Sequence, residues 1–180
     1  MTKEIYLDNA ATTPCDPKVL KAMEPYWSKT FGNPSSFNDA GRNAKKALDE
    51  ARKKIARLLG AKNQEVIFTS SATESNNLAI LGMAEAVKNN DFKIIATEVE
   101  HYSVLEPIKK LEKEGAKIHY LSVDKEGLIK LDEFKKALTP DTVLVSIIYA
   151  NNEIGSVQPI KKIAKIIKGF RNSQYPYFHI

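Results

Sequence analysis

The sequence lacks a second cysteine. Cys15 stands alone, so no internal disulfide can staple the fold, and cohesion has to come from buried apolar surface. It also lacks a long apolar run: nothing approaches the ~18 consecutive apolar residues of a membrane span. The opening MTKEIYLD has no apolar core of a signal peptide. A block of one charge is missing as well. The net charge is +5, and the lysines are scattered through segments such as RNAKKALDEARKKIARLL, the pattern of a solvated helix face rather than of a nucleic-acid surface. No histidine or cysteine has a partner at metal-ligand spacing; His119 and His179 stand apart, and no metal site is expected. Repeats, low-complexity tracts and linkers are absent too. The expectation is a soluble, cytoplasmic protein with no direct nucleic-acid partner and no membrane association.

What is present is a chain of 180 residues with 43% hydrophobic content, enough for one sizeable core. Apolar residues at Ala44, Ala47, Leu48, Ala51, Ile55, Leu58 and Leu59 recur at helical spacing, and Gly60 follows where a C-cap is expected. Beyond it, β-rich runs alternate with amphipathic ones. EVIFT precedes a helix through Leu78, Leu81 and Ala84; KIIAT precedes VLEPIKKLEKEG; KIHYLS precedes LDEFKKAL; TVLVSIIYA precedes PIKKIAKIIK; and YPYFHI closes the series. Such alternation predicts an α/β fold, a mostly parallel sheet with helices on both faces. The first part differs. IYLDNAATTPCDP and FGNPSSFNDAG are rich in Asn, Thr, Ser, Gly and Pro, and read as ordered loops flanking a helix around Val19 to Met23.

The polar residues that follow the strand-like runs carry the chemistry. In VIFTSSATESNN a strand pattern runs directly into small hydroxyl residues and then a helix pattern. A helix N-terminus at the carboxyl end of a parallel strand offers unpaired N–H groups and a partial positive charge to an anion. Ser71 and Glu74 also fit a capping box, so the segment alone reads as a capped helix ahead of a phosphate site. Two more junctions shift the balance: His101 follows KIIATEVE, and Asn151-Asn152-Glu153 follows TVLVSIIYA. If the strands beginning near Val66, Ile94 and Val143 are parallel, Ala72, Thr73, His101 and Asn152 converge on one rim, as a ligand site requires.

The set YLDNAATTP, FGNPSS, FTSSATESNNLAI, EHYSVLEP and VSIIYANNEIGSVQPI, in this order and spacing, resembles the cysteine desulfurases of the NifS/IscS type, in the class V aminotransferase-like group of pyridoxal-phosphate enzymes. The resemblance covers essentially the whole chain. It implies the large domain of a fold-type I transferase, with residues 1–180 forming its N-terminal part and residues 1–36 an N-terminal segment. It implies pyridoxal 5'-phosphate as cofactor, with Ala72 and Thr73 at its phosphate and Asn152 beside its ring oxygen and the substrate carboxylate. His101 would stack on the ring and take part in proton transfer as a catalytic residue, an imidazole having both a flat face and a pKa near neutrality. Asn151 and Glu153 are expected as turn and helix-start residues, and Ala10, Ala11 and Thr12 as weaker candidates for the substrate wall. The family usually has Gly where this chain has Ser71, a change expected to restrict the backbone there.

The activity implied is removal of sulfur from L-cysteine, leaving L-alanine and an enzyme persulfide for an iron–sulfur scaffold or for tRNA thiolation, by a homodimer. In the family, the aspartate at the ring nitrogen, the cofactor lysine, the substrate arginine, the persulfide cysteine and a small C-terminal domain match positions beyond Ile180. The chain is therefore expected to be truncated and inactive alone, and Cys15, in an early loop, is read as incidental. Another class V enzyme, such as a selenocysteine lyase or an aminotransferase, is the alternative within catalysis. A non-catalytic α/β phosphate-binding module is the alternative outside it.

Overall fold

A computed structural model describes residues 5–87, 91–170 and 175–180. Residues 1–4, the start of the segment read above as lacking a signal peptide, lie outside the described residues. The chain divides into two compact units, Met1–Phe68 and Thr69–Ile180.

In the first unit, helix α1 (Pro17–Ser28) starts where Asp16 accepts the Lys18 N–H at 2.7 Å, with a proline in its first turn. Helix α2 (Asp39–Leu59) is capped by Asn38, whose side chain accepts the Gly41 N–H at 2.8 Å. It ends at Gly60 with φ 66°, the left-handed C-cap that glycine adopts without strain. The FGNPSS turn packs on the start of α2 at Gly41, where a Cβ would meet the Ser36 carbonyl at 2.3 Å. A short 3-10 turn (Asn63–Glu65) closes the helical part.

The second unit is a three-layer α/β structure. It runs α3 (Ala72–Ala86), β1 (Lys93–Thr97), α4 (Tyr102–Lys113), β2 (Lys117–Leu121), α5 (Leu131–Ala137), β3 (Thr142–Ser146), α6 (Ile160–Phe170) and β4 (Tyr177–His179). The strands form one sheet in the order β2-β1-β3-β4, and every pair is parallel. Strand alternation sends Ile94 and Ala96 to one face, where they meet Ile80 and Met83 of α3 and Val104, Ile108 and Leu111 of α4. Ile95, with Val145 and Ile147, meets Phe134 of α5 and Ile163 and Ile167 of α6 on the other face. Both faces are covered, as an all-parallel sheet demands.

Two boundaries differ from the sequence reading. Residues 66–69 do not form a strand, so the expected parallel trio has only its second and third members. A strand exists through pairing with a neighbour, and here the Val66 carbonyl accepts a side-chain donor, Arg52 Nε at 3.2 Å, while Ile67 and Phe68 are exposed. The run TVLVSIIYA leaves the sheet after Ser146, because the Ile148 N–H turns to a side chain, Glu100 Oε1 at 2.6 Å.

Phe134 is fully buried in the core between the sheet and α5 and α6. Phe134→Ala should lower unfolding free energy by about 3–5 kcal/mol, read as a lower denaturant midpoint at unchanged slope.

Candidate active site at the switch point of the sheet

Strand β1 lies between β2 and β3. The chain leaving β1 enters α4 on one face, and the chain leaving β3 continues to α6 on the other. Between the carboxyl ends of β1 and β3 the two connections part, and that crevice is where open α/β sheets bind ligands.

Glu100 joins the two sides. Its Oε1 accepts the Thr97 hydroxyl at 2.7 Å and the Ile148 N–H at 2.6 Å, and the residue is 8% exposed. Burial pushes its carboxyl above the ordinary carboxylate range, against the lowering effect of those two hydrogen bonds. Asn151 forms a second tie, donating from Nδ2 to the Val99 carbonyl at 3.0 Å. Its Oδ1 accepts the Glu153 and Ile154 N–H groups at 2.9 and 3.0 Å, which makes it the turn residue expected. Glu153 is not a helix-start residue: it lies in that turn, and α6 begins only at Ile160. From behind, Gln158 is buried and bridges the Gly127 carbonyl (2.7 Å) and the Ile129 N–H (3.1 Å).

Asn152 is exposed and has no side-chain partner among the described residues. It lines a cavity of about 270 Å³ together with Glu98, Glu100, His101 and Tyr102. His101 is the N-cap of α4, and it also lines a second cavity, of about 480 Å³, with Thr73, Asn77 and Ser103. The structure thus brings His101 beside both Thr73 and Asn152. Ala72 lines neither cavity but supplies backbone at the first turn of α3.

At that turn Ser71 is the N-cap, accepting the Glu74 N–H at 3.2 Å. The reciprocal half of the expected capping box is redirected: Glu74 Oε2 accepts the Ser70 N–H and hydroxyl, each at 2.6 Å, rather than the Ser71 N–H. The Ser70 hydroxyl, and then its N–H, hold the Glu74 carboxyl below its ordinary value. Ser71 has φ −162° and ψ 163°, extended backbone open to any residue, so serine imposes no restriction there. The Ala72 N–H, the Thr73 N–H and the Thr73 hydroxyl have no protein partner among the described residues. Three free donors in the first turn of a helix suit an anion such as a phosphate.

Sequence reasoning missed Glu100, Ser103 and Asn76. Each acts through a tertiary hydrogen bond that no local pattern announces; the signal available was only the position of Glu100 and Ser103 on either side of the His101-Tyr102 pair. His119, exposed on β2, and His179, bonded through Nδ1 to the Ser146 hydroxyl at 2.9 Å, stand outside this crevice.

A family model described as aminotransferase class V matches residues 5–173, and the chain belongs to that family. Its members use pyridoxal phosphate. Within it, the chain is 51% identical over 179 residues to a cysteine desulfurase IscS of Dictyoglomus turgidum, covering 99% of this chain and 44% of that protein. It is 46% identical over 177 residues to a cysteine desulfurase IscS of Methanosarcina thermophila, covering 98% and 43%. A solved NifS-like protein superposes with TM-score 0.93 at 39% identity, covering 98% of this chain and 48% of that one. A further solved structure, SspA in complex with cysteine, gives 0.86 at 39% identity over 91% and 47%. The chain thus spans a little under half the length of these relatives, and its fold is the fold-type I α/β arrangement they share.

Glu100 sets a pH signature. The folded chain holds the Glu100 proton more tightly than the unfolded chain, so its contribution to stability declines as pH rises from about 4 through the folded titration point. Glu100→Gln keeps the acceptor oxygen and removes the titration. The stability of the variant relative to the parent should therefore grow with pH across that window, measured by denaturant midpoints at a series of pH values; a constant difference would contradict the assignment.

Proposed function

We propose that this chain supplies the phosphate cradle and one wall of the active site of a pyridoxal-phosphate-dependent cysteine desulfurase. The observation that carries the reading is the trio of free donors on Ala72 and Thr73, one cavity away from His101 at the switch point. The residues fit the cofactor. Ala72 and Thr73 would hold its phosphate, His101 would flank its ring, and Asn152 would meet its ring oxygen or the substrate carboxylate. When bound, the cofactor supplies an electron sink for bond cleavage next to the substrate amine. The protein's own share is to orient it: a ligand fixed at its phosphate by a helix terminus and at its ring by His101 loses most of its rotational freedom before reaction.

The substrate is L-cysteine and the products are L-alanine and a protein persulfide, which passes to an acceptor such as an iron–sulfur scaffold or serves tRNA thiolation. The names of the relatives support this choice within the family, as does the description of SspA in complex with cysteine. The persulfide role is not assigned to Cys15. A cytoplasmic homodimer is the form we propose for the protein that carries this chain.

Two measurements test the reading. The chain should bind pyridoxal phosphate more tightly than pyridoxal, and Thr73→Ala should weaken the phosphate form alone by about tenfold to a hundredfold, the span of one charge-assisted hydrogen bond. Equal affinity for the two aldehydes in the parent would remove the cradle. The protein that carries this chain should form alanine and sulfide from L-cysteine; turnover of selenocysteine alone would move the assignment to a lyase.

A further inference from the structure

We infer that Asn76 and Ser103 are positioning residues that fix the tautomer of His101, so that the ring offers a ligand a hydrogen-bond donor at Nε2 and not a lone pair. The inference deepens the proposed function, because it says what His101 can do beside the ring of the cofactor.

The argument begins with the one donor that has no choice. The Ser103 backbone N–H points at His101 Nδ1 at 3.1 Å, the capping bond at the start of α4. A backbone N–H only donates, so Nδ1 is an acceptor, and in the neutral ring the proton sits on Nε2. The Ser103 hydroxyl lies 2.7 Å from the same Nδ1. Facing an acceptor, it donates its hydrogen there. Its lone pairs are then left for Asn76, whose Nδ2 lies 2.7 Å away and donates to them. The three groups form a directed chain, from the Asn76 amide to the Ser103 hydroxyl to His101 Nδ1. It runs from α3 to α4 and ends on the ring.

Burial makes the direction count. Ser103 is 7% exposed and Asn76 is half-buried, so water does not readily replace either partner, and a reversed hydroxyl would set a lone pair against a lone pair. The far ring nitrogen is free: Nε2 has no partner among the described residues, and His101 lines both the crevice cavity and the neighbouring cavity beside Thr73. In this state His101 donates from Nε2 and cannot accept a proton there. A neutral ring held this way stabilises negative charge developing on a ligand atom. It does not act as the base that removes a ligand proton.

The test reads ring nitrogen chemical shifts in protein labelled with ¹⁵N-histidine, at alkaline pH where imidazoles are neutral. The chain has three histidines, and His101→Gln identifies the signal that disappears. The parent should show His101 in the Nε2-protonated form. Asn76→Asp replaces the donor with an acceptor of the same shape and should turn the Ser103 hydroxyl away from the ring. The Nδ1-protonated fraction should then rise about fivefold, the weight of one net hydrogen bond. Ser103→Ala removes the same donor and should raise the Nδ1-protonated fraction by a similar factor, and adding Asn76→Asp to it, where there is no hydroxyl left to turn, should change the ratio no further. An Nδ1-protonated or evenly mixed parent would overturn the inference, as would an unchanged ratio in Asn76→Asp or in Ser103→Ala, or a further shift when Asn76→Asp is added to Ser103→Ala. No cofactor is needed for these readings, so they stand or fall separately from pyridoxal phosphate binding.

Discussion

The backbone ladder between β1 and β3 is the constraint on which the rest of the crevice depends. It pairs Ile94 with Leu144, Ile95 with Val145 and Ala96 with Ser146, and so brings two strands separated by more than forty residues to a common end. Because their connections leave to opposite faces, no helix covers the space above that end. Three features of the crevice hang from it: Glu100 clamps the two exits, Asn151 reaches back to Val99, and His101 begins the helix on one side. The small register shift between Lys93 and Ile94 lies at the opposite end of the ladder, away from the crevice.

A common division of labour runs through the three loops. In each, one residue commits its hydrogen bonds to the fold while its neighbour keeps a polar group free. Ser71 caps α3, and Thr73 keeps its hydroxyl. Asn151 builds its turn, and Asn152 faces the cavity. Within His101 the same split occurs in a single ring, with Nδ1 engaged and Nε2 open. Free donors are held in fixed places only because adjacent groups have been used to hold the backbone.

The periodic segments of the second unit were legible in the sequence because each buries one face. KIIAT matches β1 residue for residue, and PIKKIAKIIK contains Ile163 and Ile167 at the spacing that buries them in α6. Val66 to Thr69 was misread for a physical reason: its β-branched and aromatic content fits a strand, but a strand also needs a neighbour, which composition does not supply. The site was partly legible. His101 and Asn152 follow the apolar runs that become β1 and β3, and Thr73 follows an apolar run that forms no strand but leads straight into α3. Glu100 was hidden by looking like one more charged loop residue, and its burial arises only when two distant exits are brought together.

The bridge made by Gln158 has a consequence for how this protein can be altered. Gln158 ties the segment that carries Asn152 to the Asp124–Gly127 turn, and Gly127 adopts φ 76°, a conformation that residues with a Cβ rarely take. That turn looks like an ordinary surface loop, the usual place for a tag, a graft or a permuted terminus. An insertion there would instead be transmitted through the Gln158 amide to the wall of the crevice. For protein engineering, the tolerant surface of this chain is smaller than its exposure implies, because an insertion between residues 124 and 129 would disturb both the wall of the crevice and the core residue Ile129.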